Sequence, residues 1–175
     1  MLINLVGPPC AGKSTFAARY VLEHPEYKFC SIDAYRIEYE NEDKAWQELL
    51  KDVVQNKNVI LESCGTNWRL TDMLKAPALK RRMRVDIAFQ APTNMLRARL
   101  QERQHKRPIP YDYDLKDEFR AIDYVCDHLD WNGSNLVIET NLCTPAEQYE
   151  HLCEYLAMKK LEEASYKPGK SHKEN

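Results

Sequence analysis

No apolar stretch in this 175-residue chain approaches the roughly 20 positions that a membrane-spanning helix needs. The first residues read as a strand rather than as a signal peptide, so no membrane partner and a cytoplasmic location are expected. The formal charge of −2 supplies no field of one sign that would recruit nucleic acid or a lipid surface by itself. The six cysteines form no C-x-x-C pair and no Cys/His ligand spacing, which reads as reduced thiols used for packing. His24, His105, His128, His151 and His172 show neither metal-ligand nor nucleophile spacing. No internal repeat is present. Asp130-Trp131-Asn132-Gly133 imitates a GTPase switch, but it follows a helix, and no N/T-K-x-D guanine motif accompanies it. The length suits one domain with a self-sufficient core.

Against these absences stands Gly7-Pro8-Pro9-Cys10-Ala11-Gly12-Lys13-Ser14-Thr15, a match to G-x-x-x-x-G-K-[ST]. Glycines let successive N–H groups turn inward toward phosphate oxygens, and the helix that follows adds its positive end. In such a loop Lys13 reaches the β- and γ-phosphates and the Ser14 hydroxyl binds Mg²⁺. The context fits: Leu2 to Val6 reads as a buried strand, and Phe16, Ala17, Tyr20 and Val21 recur at helical spacing until His24-Pro25. Cys10 lies where helix-end N–H groups could lower a thiol pKa; the plainer reading is a small filler of the loop.

The remaining chain alternates strands with helices. Strands are expected over 28–32, 59–61, 84–89 and 136–138. Asn41-Glu42-Asp43 opens a helix carrying Ala45, Trp46, Leu49, Leu50, Val53 and Val54. Residues 63–71 read as a polar loop, followed by a helical segment that Pro77 must break. A helix over 95–104 gives way to Arg103-Gln104-His105-Lys106-Arg107-Pro108-Ile109-Pro110, which cannot be one regular helix. A further helix from Asp114 carries Leu115, Phe119, Ile122, Val125, Cys126 and Leu129. Thr144-Pro145-Ala146-Glu147 is a capping box opening the last helix. From about residue 159 to 175 the chain reads as a polar, lysine-rich tail, leaving a domain over 1–158.

This alternation implies an α/β fold: a parallel sheet with helices on both faces, its ligand beyond the carboxyl ends of the strands. Asp33, residues 62–69 and Thr140-Asn141 then face the nucleotide. A hydroxyl attacking a γ-phosphate must lose a proton, so a carboxylate at Asp33 is useful as a base; a phosphate acceptor would need arginines instead. Asp33 could alternatively cap a turn. Glu62, directly after the central apolar strand, sits where an acid can hold Mg²⁺ through water. Thr66, Asn67 and Arg69 are candidates for the acceptor pocket. Between Trp68 and Arg107 there are eleven Lys or Arg against three acids, but Lys80-Arg81-Arg82 precedes a strand and so lies at the edge away from the nucleotide. Residues 38–52 are acidic on balance, which disfavours a long phosphate backbone over the acceptor site. Tyr35, Tyr39 and Trp46 could stack on a base, although Trp46 has the spacing of a core residue.

On Gly7–Thr15, Ser31-Ile32-Asp33-Ala34-Tyr35-Arg36, Val59–Asn67 and the Arg-rich segment 99–110, the chain resembles the small P-loop kinases, and within them the kinase domain of phage-type polynucleotide 5′-hydroxyl kinases. The resemblance covers most of residues 1–156. It implies a three-layer fold with a five-stranded sheet of order 2-3-1-4-5 and a mobile lid at about 103–113. It also implies a loop after the second strand whose Asp-x-x-Arg supplies the general base, Asp33, and an acceptor-binding arginine, Arg36. Arg103 and Arg107 fall where that lid begins and would close over the transferring group, while Arg97 and Arg99 read as solvated helix-face charges.

The expected activity is therefore transfer of the γ-phosphoryl group of ATP, with Mg²⁺, to a hydroxyl of a nucleic acid, nucleotide or nucleoside. A 5′-hydroxyl polynucleotide end or a hydroxymethylated base is the acceptor suggested by the likeness. The alternatives are a (deoxy)nucleoside monophosphate kinase and a nucleotide-binding regulator without an acceptor.

Overall fold

A computed structural model describes residues 1–106 and 115–165 of the chain. Its strands are β1 (Leu2–Val6), β2 (Lys28–Ser31), β3 (Val59–Glu62), β4 (Arg84–Gln90) and β5 (Leu136–Glu139). All pair in parallel, in the order β2-β3-β1-β4-β5, as expected. Among the described residues, seven α-helices connect and flank them: α1 (Lys13–Glu23), α2 (Ile32–Tyr39), α3 (Glu42–Gln55), α4 (Trp68–Leu74), α5 (Thr93–Lys106), α6 (Leu115–His128) and α7 (Pro145–Ser165). No helix among the described residues is long and apolar enough to cross a membrane.

Alternation along the central strand feeds two cores. Ile3 and Leu5 of β1 pack with Phe16 and Tyr20 of α1, Leu100 of α5 and Leu152 of α7. Leu2 and Val6 face the other way, onto Leu49 and Val53 of α3 and Leu70 of α4. Helix α6 serves both, with Ile122 in the first core and Val125 in the second. Burial of this kind stabilises by roughly 25 cal/mol for each Å² of apolar surface removed from water, and it fixes the sheet beneath the loops that form the site. At the opposite edge, Arg82 donates to the carbonyls of Val53 (2.6 Å), Asn56 (2.5 Å) and Lys57. Its place away from the nucleotide side is the one expected for 80–82, and it closes the end of α3.

Several boundaries differ from expectation. Residues 32–39 form a helix that starts with no loop after β2, so Asp33 and Arg36 stand on helix α2. The polar loop after β3 ends sooner, because Asn67 Oδ1 accepts the backbone N–H of Arg69 and starts α4 at Trp68. Helix α5 carries through Arg103 to Lys106, two residues beyond the predicted end. The capping box at Thr144 forms reciprocally: Glu147 Oε2 accepts the Thr144 N–H and hydroxyl, and Thr144 Oγ1 accepts the Glu147 N–H at 3.3 Å. Helix α7 then runs to Ser165, past the predicted start of the tail. Lys160 lies over the Tyr27 ring and 3.9 Å from Glu26, which ties this last stretch to the domain, while Lys159 pairs with Glu162 within the helix (2.8 Å). Arg107 and most of the expected lid lie outside the described residues, as does the chain after Ser165.

Candidate nucleotide and acceptor site

The loop between β1 and α1 is shaped by two backbone demands. Gly12 has φ +100°, and Gly7 has φ +139° with its Cα so close to β4 that a Cβ would lie 2.4 Å from the Phe89 carbonyl oxygen. An alanine at Gly12 meets no atom within 4 Å and suffers backbone strain alone, on the order of 1–3 kcal/mol. An alanine at Gly7 adds a clash with sheet backbone that cannot move. Gly7→Ala is therefore expected to lower the thermal midpoint by roughly 6–12 °C for a domain this size, clearly more than Gly12→Ala. Melting curves of the two proteins decide it.

Lys13, the first residue of α1, is only 7% exposed. Its ammonium donates to the carbonyls of Gly7 (2.8 Å) and Pro8 (2.9 Å). No carboxylate hydrogen-bonds to it among the described residues. Burial pushes its pKa below the ordinary lysine range, while Glu62, then Cys64 and Asp33, pull in the other direction. Ser14 Oγ donates to Glu62 Oε1 at 2.7 Å. Glu62, 9% exposed at the end of β3, is thus set beside the loop as the sequence position suggested. No group of three or more His, Cys, Asp or Glu side chains that could hold a metal occurs among the described residues.

A cleft of about 1310 Å³ opens in front of this loop. Pro9, Cys10, Gly12, Lys13, Ser14 and Thr15 line it, as does Gly7. Pro8 contributes its carbonyl to Lys13, and Ala11 is fully buried beneath the loop. Across the cleft stand Asp33, Arg36, Thr66 and Asn67. The Asp33 side chain is 80% exposed, and its Oδ1 accepts from Arg36 Nη1 at 3.1 Å. Arg69 is not part of the lining; it pairs with Asp43 at 2.5 Å. Trp46 is buried, as its spacing suggested, yet its ring edge reaches the cleft and its Nε1 donates to Glu42 Oε1 at 2.8 Å. Tyr35 and Tyr39 stack on each other at 6.3 Å.

Cys10 follows the plainer of its two readings: it sits in the loop at φ +62°, and burial raises its thiol pKa, which the nearby Arg103 charge only partly opposes. The reading of Arg99 is corrected. Arg99 is no solvated charge. Its Nη1 donates to Thr140 Oγ1 (2.9 Å) and the Cys10 carbonyl (3.4 Å), and its Nη2 to the Thr140 carbonyl (2.9 Å). It buttresses the phosphate loop against the end of β5 and lines the cleft beside Arg103. Sequence spacing gave no means of telling Arg99 from Arg97, which pairs with Asp123 on the helix surface.

The geometry sets a buried ammonium and a glycine-shaped loop across a cleft from an exposed carboxylate, and several solved kinases share the fold. Shikimate kinase from Bacteroides thetaiotaomicron superposes with a TM-score of 0.62 at 14% identity, covering 90% of this chain and 98% of that one. A gluconokinase from Sinorhizobium meliloti 1021 gives 0.60 at 15% identity, covering 94% and 97%. A chain of the Pnkp1/Rnl/Hen1 RNA repair complex gives 0.56 at 20% identity, covering 74% of this chain but 46% of that one. These likenesses establish a small P-loop kinase fold. No curated protein matches the sequence. A family profile described as an AAA domain matches residues 2–121, more than half of the chain, and the protein belongs to that AAA domain family (AAA_33).

Proposed function

We propose that the protein is an ATP-dependent kinase that transfers the γ-phosphoryl group to a hydroxyl of a nucleic acid, nucleotide or nucleoside. The observation that carries this reading is Lys13. A buried ammonium held only by carbonyls is costly, and a triphosphate laid along the loop N–H groups would supply its missing counter-charge. The oxygen-bearing side chains Ser14 and, through water, Glu62 suit Mg²⁺, which when bound offsets the negative charge of the phosphate chain.

The chain's own residues then divide the work. Lys13 and the loop N–H groups orient the phosphates in line with the acceptor. Asp33 takes the hydroxyl proton as the acceptor oxygen bonds to the γ-phosphorus and the bridge to the β-phosphate breaks, releasing ADP. Arg99 holds the loop, and Arg103, which lines the cleft, meets the charge that develops on the transferring group; the resemblance gives Arg107 the same task. The resemblance to 5′-hydroxyl kinases favours a nucleoside-like acceptor.

The test incubates the protein with γ-labelled ATP and 5′-hydroxyl oligonucleotides, hydroxymethylated DNA, nucleosides and nucleoside monophosphates. Label on a hydroxyl is expected. Label carried only on the phosphate of a monophosphate would overturn the reading, as would failure to retain ATP.

A further inference from the structure

On the acceptor side of the cleft the cations are already matched. Arg36 donates from Nε to Glu42 Oε2 and from Nη2 to Glu42 Oε1, both at 2.8 Å, a two-pronged fork that leaves Nη1 for Asp33. Glu42 cannot easily swing away. It belongs to the first turn of α3 and accepts a further hydrogen bond from the buried Trp46. Hydrogen bonding from Arg36, then from Trp46, holds its carboxyl at about 2, well below the usual range. Arg69, outside the lining, is matched through Nη1 alone by Asp43. Glu40, at the left-handed end of α2, lines the cleft and makes no ion pair among the described residues. The remaining wall contains Phe29, Ile32, Ile37 and Trp46, apolar surface with no charge to offer.

We propose that this wall selects an alcohol that carries no phosphate or carboxylate beside its reacting hydroxyl, a free nucleoside or a polyol, and that Glu42 sets the preference. The inference rests on the kinase reading above and narrows it. An anionic group placed here meets the carboxylates of Asp33 and Glu40 on the wall, with Glu42 behind them already holding Arg36. On this wall the guanidinium is that of Arg36, and to take its Nε and Nη2 an anion must displace Glu42 from a bidentate pair, which is among the stronger charge-assisted contacts. Selectivity of this kind comes from repulsion of the wrong partner as much as from attraction of the right one.

The test uses matched acceptors: a nucleoside, its 3′-monophosphate with the same free 5′-hydroxyl, and a sugar polyol. Equilibrium binding to protein loaded with a non-hydrolysable ATP analogue is measured beside label transfer from ATP, for the wild type and Glu42→Gln. The wild type is expected to bind at least one uncharged alcohol about tenfold more tightly than the monophosphate; whether nucleoside or polyol leads tells the two sources apart. Glu42→Gln, which unmatches Arg36, is expected to shrink that ratio by about tenfold. A monophosphate that binds the wild type as well as the nucleoside does overturns the proposal, as does an unchanged ratio in the variant or no binding of either alcohol. Binding in the expected order without transfer supports the selection and overturns the kinase reading.

Discussion

Replacing Lys13 with methionine is expected to lower phosphoryl transfer by roughly 10³-fold with every acceptor, the scale of losing one preorganised charge donor at a transition state. Methionine keeps the unbranched volume in a site where Lys13 is almost fully covered. The lost hydrogen bonds leave the Gly7 and Pro8 carbonyls to other partners, but the variant no longer buries an ammonium against desolvation. A buried ammonium without a carboxylate bonded to it is itself costly, so removing it offsets the two lost hydrogen bonds. The Tm should therefore hold or rise while activity disappears. Calorimetry paired with a transfer assay separates this outcome from unfolding. A variant that transfers at the wild-type rate would remove the loop lysine from the chemistry.

Asp33→Asn should separate binding from chemistry. The side chain stands in solvent at the edge of the cleft, and its pair with Arg36 is a surface contact of the sort worth at most about 1 kcal/mol. ATP affinity and thermal stability are expected to stay near wild type. Transfer is expected to fall by about 10²–10⁴-fold, the usual contribution of a positioned acid or base. ATP binding by calorimetry and single-turnover transfer, measured side by side, test both halves. Equal transfer by the two proteins would leave Asp33 as no more than a partner of Arg36.

The elements that were legible beforehand are those whose pattern is set by the nearest neighbours in sequence. Ile3 and Leu5 alternate with Leu2 and Val6, Ala45 to Val53 repeat at helical spacing, and Thr144 and Glu147 cap each other. Each is a local signal that tertiary structure then confirms. The sheet order came from the resemblance. What stayed hidden depends on partners far away. Helix α2 begins without a stop signal after β2, and Ser31 gives it no side-chain cap; its reason is the burial of Ile32 and Tyr35 in the second core. Helix α5 buries only Leu96 and Leu100, so its apolar period fades early, and good helix formers such as Arg, Gln and Glu carry it onward. Arg99 acquires its role from Thr140 and from a carbonyl of the phosphate loop, positions that no spacing rule connects.

Asp33 and Arg36 share one turn of α2, and that turn is joined to β2 without slack. On the kinase reading proposed above, any tilt of the helix that opens room for a bulkier guest would also draw the carboxylate away from the incoming phosphorus. Reaction speed and guest size would then be geared together, so a lineage that broadened its diet would be expected to remodel α3 or the stretch after Glu62 first.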